Sequence, residues 1–375
     1  MKILTTGVHL TPSLAFIDFV TSQATTEFVF LGRNFSQIEN RQRSQESAAV
    51  AERKIKFIQF QSGKLAFHSP LQLLTQIWLV ALGLVRAIQI LAAEHPDVVV
   101  LFGGYLAVPV AIASWIRGIP VITHEQTAVA GLSNQIIGMF SKKIAISYRS
   151  SQASFPQKKT VVTGNLLRPK LAEKNPVTPA WFTPAANHPV LYVTGGNQGS
   201  QVINTAMAQI LPQLTRDWSV IHQCGSPTKK TNYRLELSSS LTQLSHAAQS
   251  RYFIREWITE TELAWLYNHA SVVISRAGAN TVFELQNFGV PAILIPLPFS
   301  HKQEQLKNAE LAAKSGGYIV VTQNHLTPDT LLAALKLLTT NLAARRKKIL
   351  QQNIDAQGTS KLWKLVKAVQ TKTCG

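Results

Sequence analysis

Residues 272–284 read VVISRAGANTVFE, which is the pattern of a β-strand, a turn and the start of an α-helix. The first residues are β-branched and favour a strand, and Gly278 permits a tight turn. The helix would present the N–H groups of residues 279–281 to a phosphate, and Glu284, about one turn further on, could accept hydrogen bonds from ribose hydroxyls. A capped helix with a solvated glutamate is the alternative reading.

The same alternation of short apolar runs and helical patterns extends over most of the chain and predicts parallel strands joined by helices. The runs are 3–4, 28–31, 55–60, 98–102, 121–122, 144–146 and 161–162 in the first half, and 190–193, 218–221, 272–274 and 292–295 in the second. Between the halves lie Pro169, Pro176, Pro179, Pro184 and Pro189. We therefore predict an α/β protein with an N-terminal domain over 1–168, a linker over 169–189 and a C-terminal domain over 190–375.

The predicted domains are two open sheets that face each other across a cleft. Ligands in such sheets lie beyond the carboxyl ends of the strands, so the loops there are the candidate sites. The stretch 362–369 reads as an amphipathic helix, which we expect to pack back on the N-terminal domain.

Composition excludes several classes of protein. A chain of 375 residues with 46% hydrophobic and 15% charged residues is not disordered. Its two cysteines lack companions at metal or disulfide spacing.

The net charge of +18 predicts an anionic partner, but the basic residues are scattered and match no nucleic-acid motif, so we expect no nucleic acid. No signal peptide follows Met1, and polar residues interrupt the apolar stretch 71–91, which predicts neither export nor a spanning helix.

Other strand ends carry weaker signals. The run from Gly195 to Gly199 suits a phosphate, although many α/β proteins need such a turn structurally. His124 and Glu125 could supply acid/base chemistry, but adjacent side chains rarely face the same point. His9 follows the first strand, and an isolated histidine in a loop is more often without a function.

Together these motifs, in order and spacing, resemble the MurG family, the UDP-N-acetylglucosamine:lipid I N-acetylglucosaminyltransferases of peptidoglycan synthesis, which have the GT-B fold. The resemblance is carried by Phe102-Gly103-Gly104-Tyr105 with Pro109, His124-Glu125-Gln126, Gly131-Leu132, Thr163-Gly164-Asn165 with Arg168-Pro169, Gly195 to Gly199, Ser275 to Glu284, Gln305 and Asn308-Ala309. It implies an inverting transfer that needs no metal or other cofactor, from UDP-GlcNAc to the muramyl 4-hydroxyl of lipid I.

The resemblance also implies roles for single residues, with His9 as the general base. The UDP-GlcNAc contacts it implies are Thr127, Arg168, Asn197, Ile258, Ala279, Asn280, Thr281, Glu284, Gln305 and Asn308. The acceptor contacts it implies are Gly103, Gly104, Tyr105, His124 and Glu125. Three departures from the family pattern stand out: a first loop shortened to residues 6–9, Thr127 in place of asparagine and Asn197 in place of serine. A related GT-B enzyme with another nucleotide sugar or lipid acceptor, or a catalytically impaired relative, is the alternative.

A lipid-linked acceptor and a positive charge together predict peripheral binding to the anionic cytoplasmic face of the cell membrane. The helix expected over 71–91 would present an apolar face, with Trp115 and Arg117 nearby in the chain. The residues of that face are Leu74, Ile77, Trp78, Leu82 and Val85. The alternative is that this face is ordinary core.

Overall fold

The computed structural model describes residues 1–33, 45–63, 70–173, 175–185, 187–196, 198–227, 231–352 and 354–371, except the side chains of residues 45, 70–75, 77, 301 and 371. The chain divides into two compact units, Met1–Pro169 with Asp355–Gly375, and Lys170–Ile354. Residues 355–375, which the predicted boundary assigned to the C-terminal domain, thus belong to the first unit. Among the described residues, no helix is both long and apolar enough to cross a membrane.

The first unit is a parallel sheet with helices on both faces. Its strands are β1 (Lys2–Thr6), β2 (Glu27–Gly32), β3 (Lys56–Gln59), β4 (Val98–Leu101), β5 (Val121–Glu125), β6 (Lys143–Ile146) and β7 (Thr160–Val162), in the order β3-β2-β1-β4-β5-β6-β7. Its helices are α1 (Leu10–Gln23), α2 (Gln45–Glu52), α3 (Pro70–Glu94), α4 (Ala107–Ile116), α5 (Leu132–Phe140) and the C-terminal α15 (Gly358–Thr371).

The second unit repeats this plan. Its strands are β8 (Val190–Thr194), β9 (Ser219–Gln223), β10 (Tyr252–Arg255), β11 (Ala270–Ser275), β12 (Ala292–Leu294) and β13 (Tyr318–Val320), in the order β10-β9-β8-β11-β12-β13 and all parallel. Its helices are α6 (Gln201–Gln209), α7 (Leu211–Asp217), α8 (Tyr233–Leu241), α9 (His246–Gln249), α10 (Glu260–His269), α11 (Ala279–Asn287), α12 (Glu304–Ala313), α13 (Pro328–Thr339) and α14 (Leu342–Leu350).

The central strands are buried on both faces, which explains why they read as continuous apolar runs. In the first unit, α1 and α15 cover one face of the sheet, and Phe16 packs edge-on against Trp363 with ring centroids 6.4 Å apart. On the other face, α3, α4 and α5 lie side by side. The amphipathic pattern of α15 therefore serves the core of the first unit.

The order of the strands places candidate loops at the switch point of each sheet. β1 and β4 are neighbours in the first sheet, and β8 and β11 are neighbours in the second. At such a point successive connections leave in opposite directions and open a crevice beyond the strand ends. The loops after these four strands carry residues 7–9, 103–105, 195–199 and 276–278, which are the motifs that the sequence singled out.

Candidate active site

The loop between β1 and α1 is strained. Val8 has φ = 82°, a left-handed conformation that costs a β-branched residue roughly 1–3 kcal/mol. The side chain of His9 is exposed, yet enough protein surrounds it that desolvation lowers its pKa, which the carboxylates of Glu125 and Glu46 oppose. A lowered pKa keeps the imidazole neutral near pH 7, the form that accepts a proton.

The loop after β4 lies against the loop that carries His9. Gly103 and Gly104 have φ = 88° and 82°. A Cβ on Gly103 would lie 2.9 Å from Nδ2 of Asn134, and one on Gly104 would lie 2.7 Å from Cβ of Val8. Neither position accepts a side chain, so the backbone of the predicted acceptor loop approaches its neighbours closely. Tyr105, the next residue, is half-buried.

Two predicted acceptor contacts at the end of β5, His124 and Glu125, are buried. His124 is fully buried, its Nε2 lies 3.0 Å from the carbonyl oxygen of Gly164, and burial lowers its pKa to about 4. The carboxylate of Glu125 accepts hydrogen bonds from the N–H groups of Thr127 (2.9 Å) and Gly131 (3.0 Å) and from the Thr127 hydroxyl (2.7 Å). Both side chains lie inside the protein and hold the backbone of neighbouring segments, and their contact with the acceptor stays a prediction.

The predicted donor contacts are divided between the two units. Thr127 and Arg168 belong to the first unit, and both are half-buried. The others belong to the second unit, where Asn197 lies outside the described residues. In the same turn Gly196 and Gly199 have φ = 84° and 73°. Ser200 then caps α6 by accepting a hydrogen bond from the backbone of Ile203, so one N–H group at this terminus already has a partner.

The N-terminus of α11 differs from that of α6. It begins after Gly278, and this glycine has no side chain to cap it. A helix start without a side-chain cap is a ready site for an anion. Ala279 is buried, and Asn280 and Thr281, the other residues of its first turn, are half-buried.

Glu284 is buried one turn along α11. Only 3% of it is exposed, and its Oε2 accepts a hydrogen bond from the hydroxyl of Tyr267 at 3.0 Å. The ring of Tyr267 stacks on Phe288 with centroids 5.5 Å apart, which fixes the donor. The solvated glutamate of the alternative reading is thus excluded, because Tyr267 holds this carboxylate in one orientation.

Arg276, the residue after β11, connects several loops through hydrogen bonds. Its Nη2 donates to Oγ of Ser200 (2.7 Å) and to Oε1 of Gln323 (2.9 Å), and its Nη1 donates to the carbonyl oxygen of Ile295 (3.2 Å). None of these partners is charged. Desolvation lowers its pKa, but a guanidinium stays protonated near neutral pH. A positive charge therefore lies two residues before Gly278.

Gln305 and Asn308, two predicted UDP-GlcNAc contacts, hold loops in place through hydrogen bonds. Oε1 of Gln305 accepts a hydrogen bond from the backbone of Leu297 at 3.0 Å. Asn308 is 3% exposed, and its Nδ2 donates to the carbonyl oxygen of Ala277 at 3.3 Å. The buried amide of Asn308 therefore supports the turn before α11, and its contact with UDP-GlcNAc stays a prediction.

The loop around Ile258, a predicted UDP-GlcNAc contact, is held by an aromatic residue of the predicted linker. Ile258 is buried. Beside it, the guanidinium of Arg255 lies 4.2 Å from the ring centroid of Trp181, whose Nε1 donates to Oε1 of Glu262 at 2.5 Å. Trp181 thus links the two ends of the loop between β10 and α10.

Comparison with known proteins identifies the family. The model of the glycosyltransferase family 28 N-terminal domain matches residues 6–146, and that of its C-terminal domain matches residues 190–366. A Clostridium kluyveri protein named UDP-N-acetylglucosamine--N-acetylmuramyl-(pentapeptide) pyrophosphoryl-undecaprenol N-acetylglucosamine transferase is 34% identical over 90% of this chain and 91% of its own length. A Clostridium perfringens protein of the same name is 33% identical over 91% and 90%. The chain belongs to the MurG family.

Family membership confirms the predicted enzyme class, a glycosyltransferase, and solved structures confirm the GT-B fold. The crystal structure of Acinetobacter baumannii MurG is similar with a TM-score of 0.67, at 24% identity, over 98% of this chain and 99% of that one. The calicheamicin glycosyltransferase CalG4 is similar with a TM-score of 0.64, at 16% identity, over 98% and 97%.

Sequence reasoning missed four residues that support candidate site residues within the two units of this MurG-family chain. They are Glu46, Trp181, Tyr267 and Arg276. Arg276 had a signal, since a lone arginine directly after a strand and before a glycine turn lies at a phosphate-binding position. The other three come from remote segments of the chain, and only the fold of each unit brings them to the residues that they support.

Proposed function

We propose that this protein transfers N-acetylglucosamine from UDP-GlcNAc to the muramyl 4-hydroxyl of lipid I, with inversion at the anomeric carbon. The observation that carries the proposal is the uncapped N-terminus of α11 with the buried, oriented Glu284 behind it, in a chain of the MurG family. The names of its relatives specify the same donor and acceptor.

In this proposal the diphosphate binds the N–H groups at the start of α11, and Glu284 accepts hydrogen bonds from the ribose. The backbone around Ile258 binds the uracil, and Gln305 lies at the sugar. As the bond between the anomeric carbon and UDP breaks, negative charge grows on the diphosphate. Helix N–H groups and the nearby charge of Arg276 stabilise that charge.

The acceptor side supplies the base. The oxygen of the 4-hydroxyl attacks the anomeric carbon, its proton passes to the imidazole of His9, and the electron pair of the broken bond leaves with UDP. His9 then carries a positive charge, which the carboxylates of Glu46 and Glu125 stabilise. The glycine backbone of residues 103–104 can approach the acceptor pyrophosphate closely.

The test is a transfer assay with purified protein, labelled UDP-GlcNAc and a soluble lipid I analogue. UDP-glucose as donor and diacylglycerol as acceptor run beside it. We expect product only from UDP-GlcNAc with the lipid I analogue. Preference for diacylglycerol or for UDP-glucose would favour a related glycosyltransferase, and no product from any pair would indicate an impaired relative.

We also propose that the protein binds the cytoplasmic face of the membrane peripherally, through the outer surface of α3, α4 and α5. These adjacent helices expose Trp78 by 66%, Trp115 by 62% and Met139 by 61%. Leu82 and Val85 are exposed on the same surface, whereas the side chains of Leu74 and Ile77 lie outside the described residues. The exposed Arg86 and Arg117 add positive charge.

Co-sedimentation with vesicles tests this surface. We expect binding to phosphatidylglycerol-containing vesicles, loss of binding at high salt, and weak binding to phosphatidylcholine alone. Replacement of Trp78 and Trp115 by alanine should reduce binding, whereas Phe299→Ala, at a residue 89% exposed in the second unit, should not. Binding that ignores lipid charge, salt and both tryptophans would contradict the proposal.

A further inference from the structure

Glu46, in the first turn of α2, is a buried carboxylate that joins two loops of the first unit. Its Oε1 accepts a hydrogen bond from the N–H of Val8 at 2.9 Å, and its Oε2 accepts one from the N–H of Arg33 at 3.1 Å. Only 7% of Glu46 is exposed. One side chain therefore satisfies backbone groups just after β1 and just after β2, and charge-assisted hydrogen bonds of this kind are strong.

Two glycines make the space for this carboxylate. A Cβ on Gly7 would lie 2.5 Å from Oε2 and 2.7 Å from Cδ of Glu46, and one on Gly32 would lie 2.9 Å from Oε2. A larger residue at either position would push the Glu46 side chain away. The backbone of the shortened first loop is therefore built to approach Glu46.

The helix that carries Glu46 is itself fixed. Arg53, directly after α2, forms a bidentate ion pair with Asp18 of α1. Its Nε donates to Oδ1 of Asp18 at 2.6 Å, and its Nη2 donates to Oδ2 at 2.7 Å. Val50 of α2 is fully buried in the core. Since α1 is the helix that begins after His9, α2 and the loop share one rigid support.

We propose that Glu46 is the positioning residue for His9: it holds Val8 in its strained conformation and thereby sets the direction of the imidazole toward the acceptor hydroxyl. The inference rests on the proposed function, in which His9 takes the proton. Strained backbone persists only where its surroundings hold it, and Glu46 supplies the hydrogen bond at that residue. The carboxylates that act on the ring are those of Glu46 and Glu125, and both raise its pKa against desolvation.

The test compares Glu46→Gln with Gly7→Ala, which keeps the carboxylate but displaces it. Glu52→Gln is the control, because Glu52 is exposed at the other end of α2. An NMR titration of the His9 imidazole, kcat and KM for transfer, and UDP affinity are measured for each. We expect Glu46→Gln and Gly7→Ala to lower kcat about 10- to 100-fold, as misplaced catalytic groups do, with UDP affinity unchanged.

The titration separates positioning from a structural role. Loss of the neighbouring charge should lower the His9 pKa in Glu46→Gln and move the acidic limb of the rate profile to lower pH, whereas Glu52→Gln should behave as wild type. An unaltered His9 pKa in Glu46→Gln would overturn the inference, even if the protein melted earlier and lost activity. If His9→Ala keeps full turnover, the proposed base fails, and the titration still tests the effect of Glu46 on His9.

Discussion

The loop after β1 and the loop after β11 each lie at the switch point of their own sheet, but opposite charges support them. Buried carboxylates, Glu46 and Glu125, surround the first loop, where Val8 is strained. The second loop turns at Gly278 and has the guanidinium of Arg276 at its base. The same strand-turn-helix frame can therefore serve two chemical tasks, and the supporting residues decide which.

The difference in charge matches what each loop would hold during sugar transfer. A base that accepts a proton becomes positive and is stabilised by carboxylates, whereas a departing diphosphate gains negative charge and is stabilised by a cation and helix N–H groups. Breaking the first loop should therefore impair turnover and spare nucleotide binding, whereas breaking the second should weaken nucleotide binding.

The largest expected effect is that of His9→Ala. General bases contribute about 10²–10⁴-fold in rate, so kcat should fall by that factor while UDP affinity stays unchanged. Transfer assays and calorimetry measure the two quantities. His246→Ala, an exposed histidine of the second unit, is the control and should change neither. Equal turnover in wild type and His9→Ala would remove the assignment of the base.

The next effect is on the donor side. Hydrogen bonds to a charged group are worth about 1.5–3 kcal/mol, so Glu284→Ala should weaken UDP binding roughly tenfold or more. Calorimetry should show a much smaller loss for 2′,3′-dideoxy-UDP, which lacks the ribose hydroxyls. Glu310→Ala, at an exposed position of the same unit, is the control. An equal loss for both nucleotides would refute the ribose assignment.

The sequence predicted the strands that are buried and apolar better than those at the sheet edges. β10 and β13 were missed, because β10 is an edge strand with three half-buried residues and β13 is a short edge strand after Gly316 and Gly317. Motif spacing predicted the loops at the switch points for a similar reason, since strand ends and glycines are local signals. It could not predict that His124, Glu125 and Asn308 turn inward, which depends on packing between distant segments.

The smallest expected effect is that of Tyr267→Phe on the affinity for UDP. Tyr267→Phe removes the hydroxyl that orients Glu284 but keeps the ring stacked on Phe288, so UDP affinity should fall only about two- to tenfold, the value of one hydrogen bond.

Two comparisons assign that small loss to Glu284. Tyr252→Phe is the matched control: its buried hydroxyl lies 2.6 Å from Nδ1 of His222, so its removal should lower the melting temperature without changing UDP affinity. In the double variant with Glu284→Ala, Tyr267→Phe should add no further loss, because the carboxylate it orients is gone. Additive losses in the double variant would show that Tyr267 acts on the donor site by a route other than Glu284.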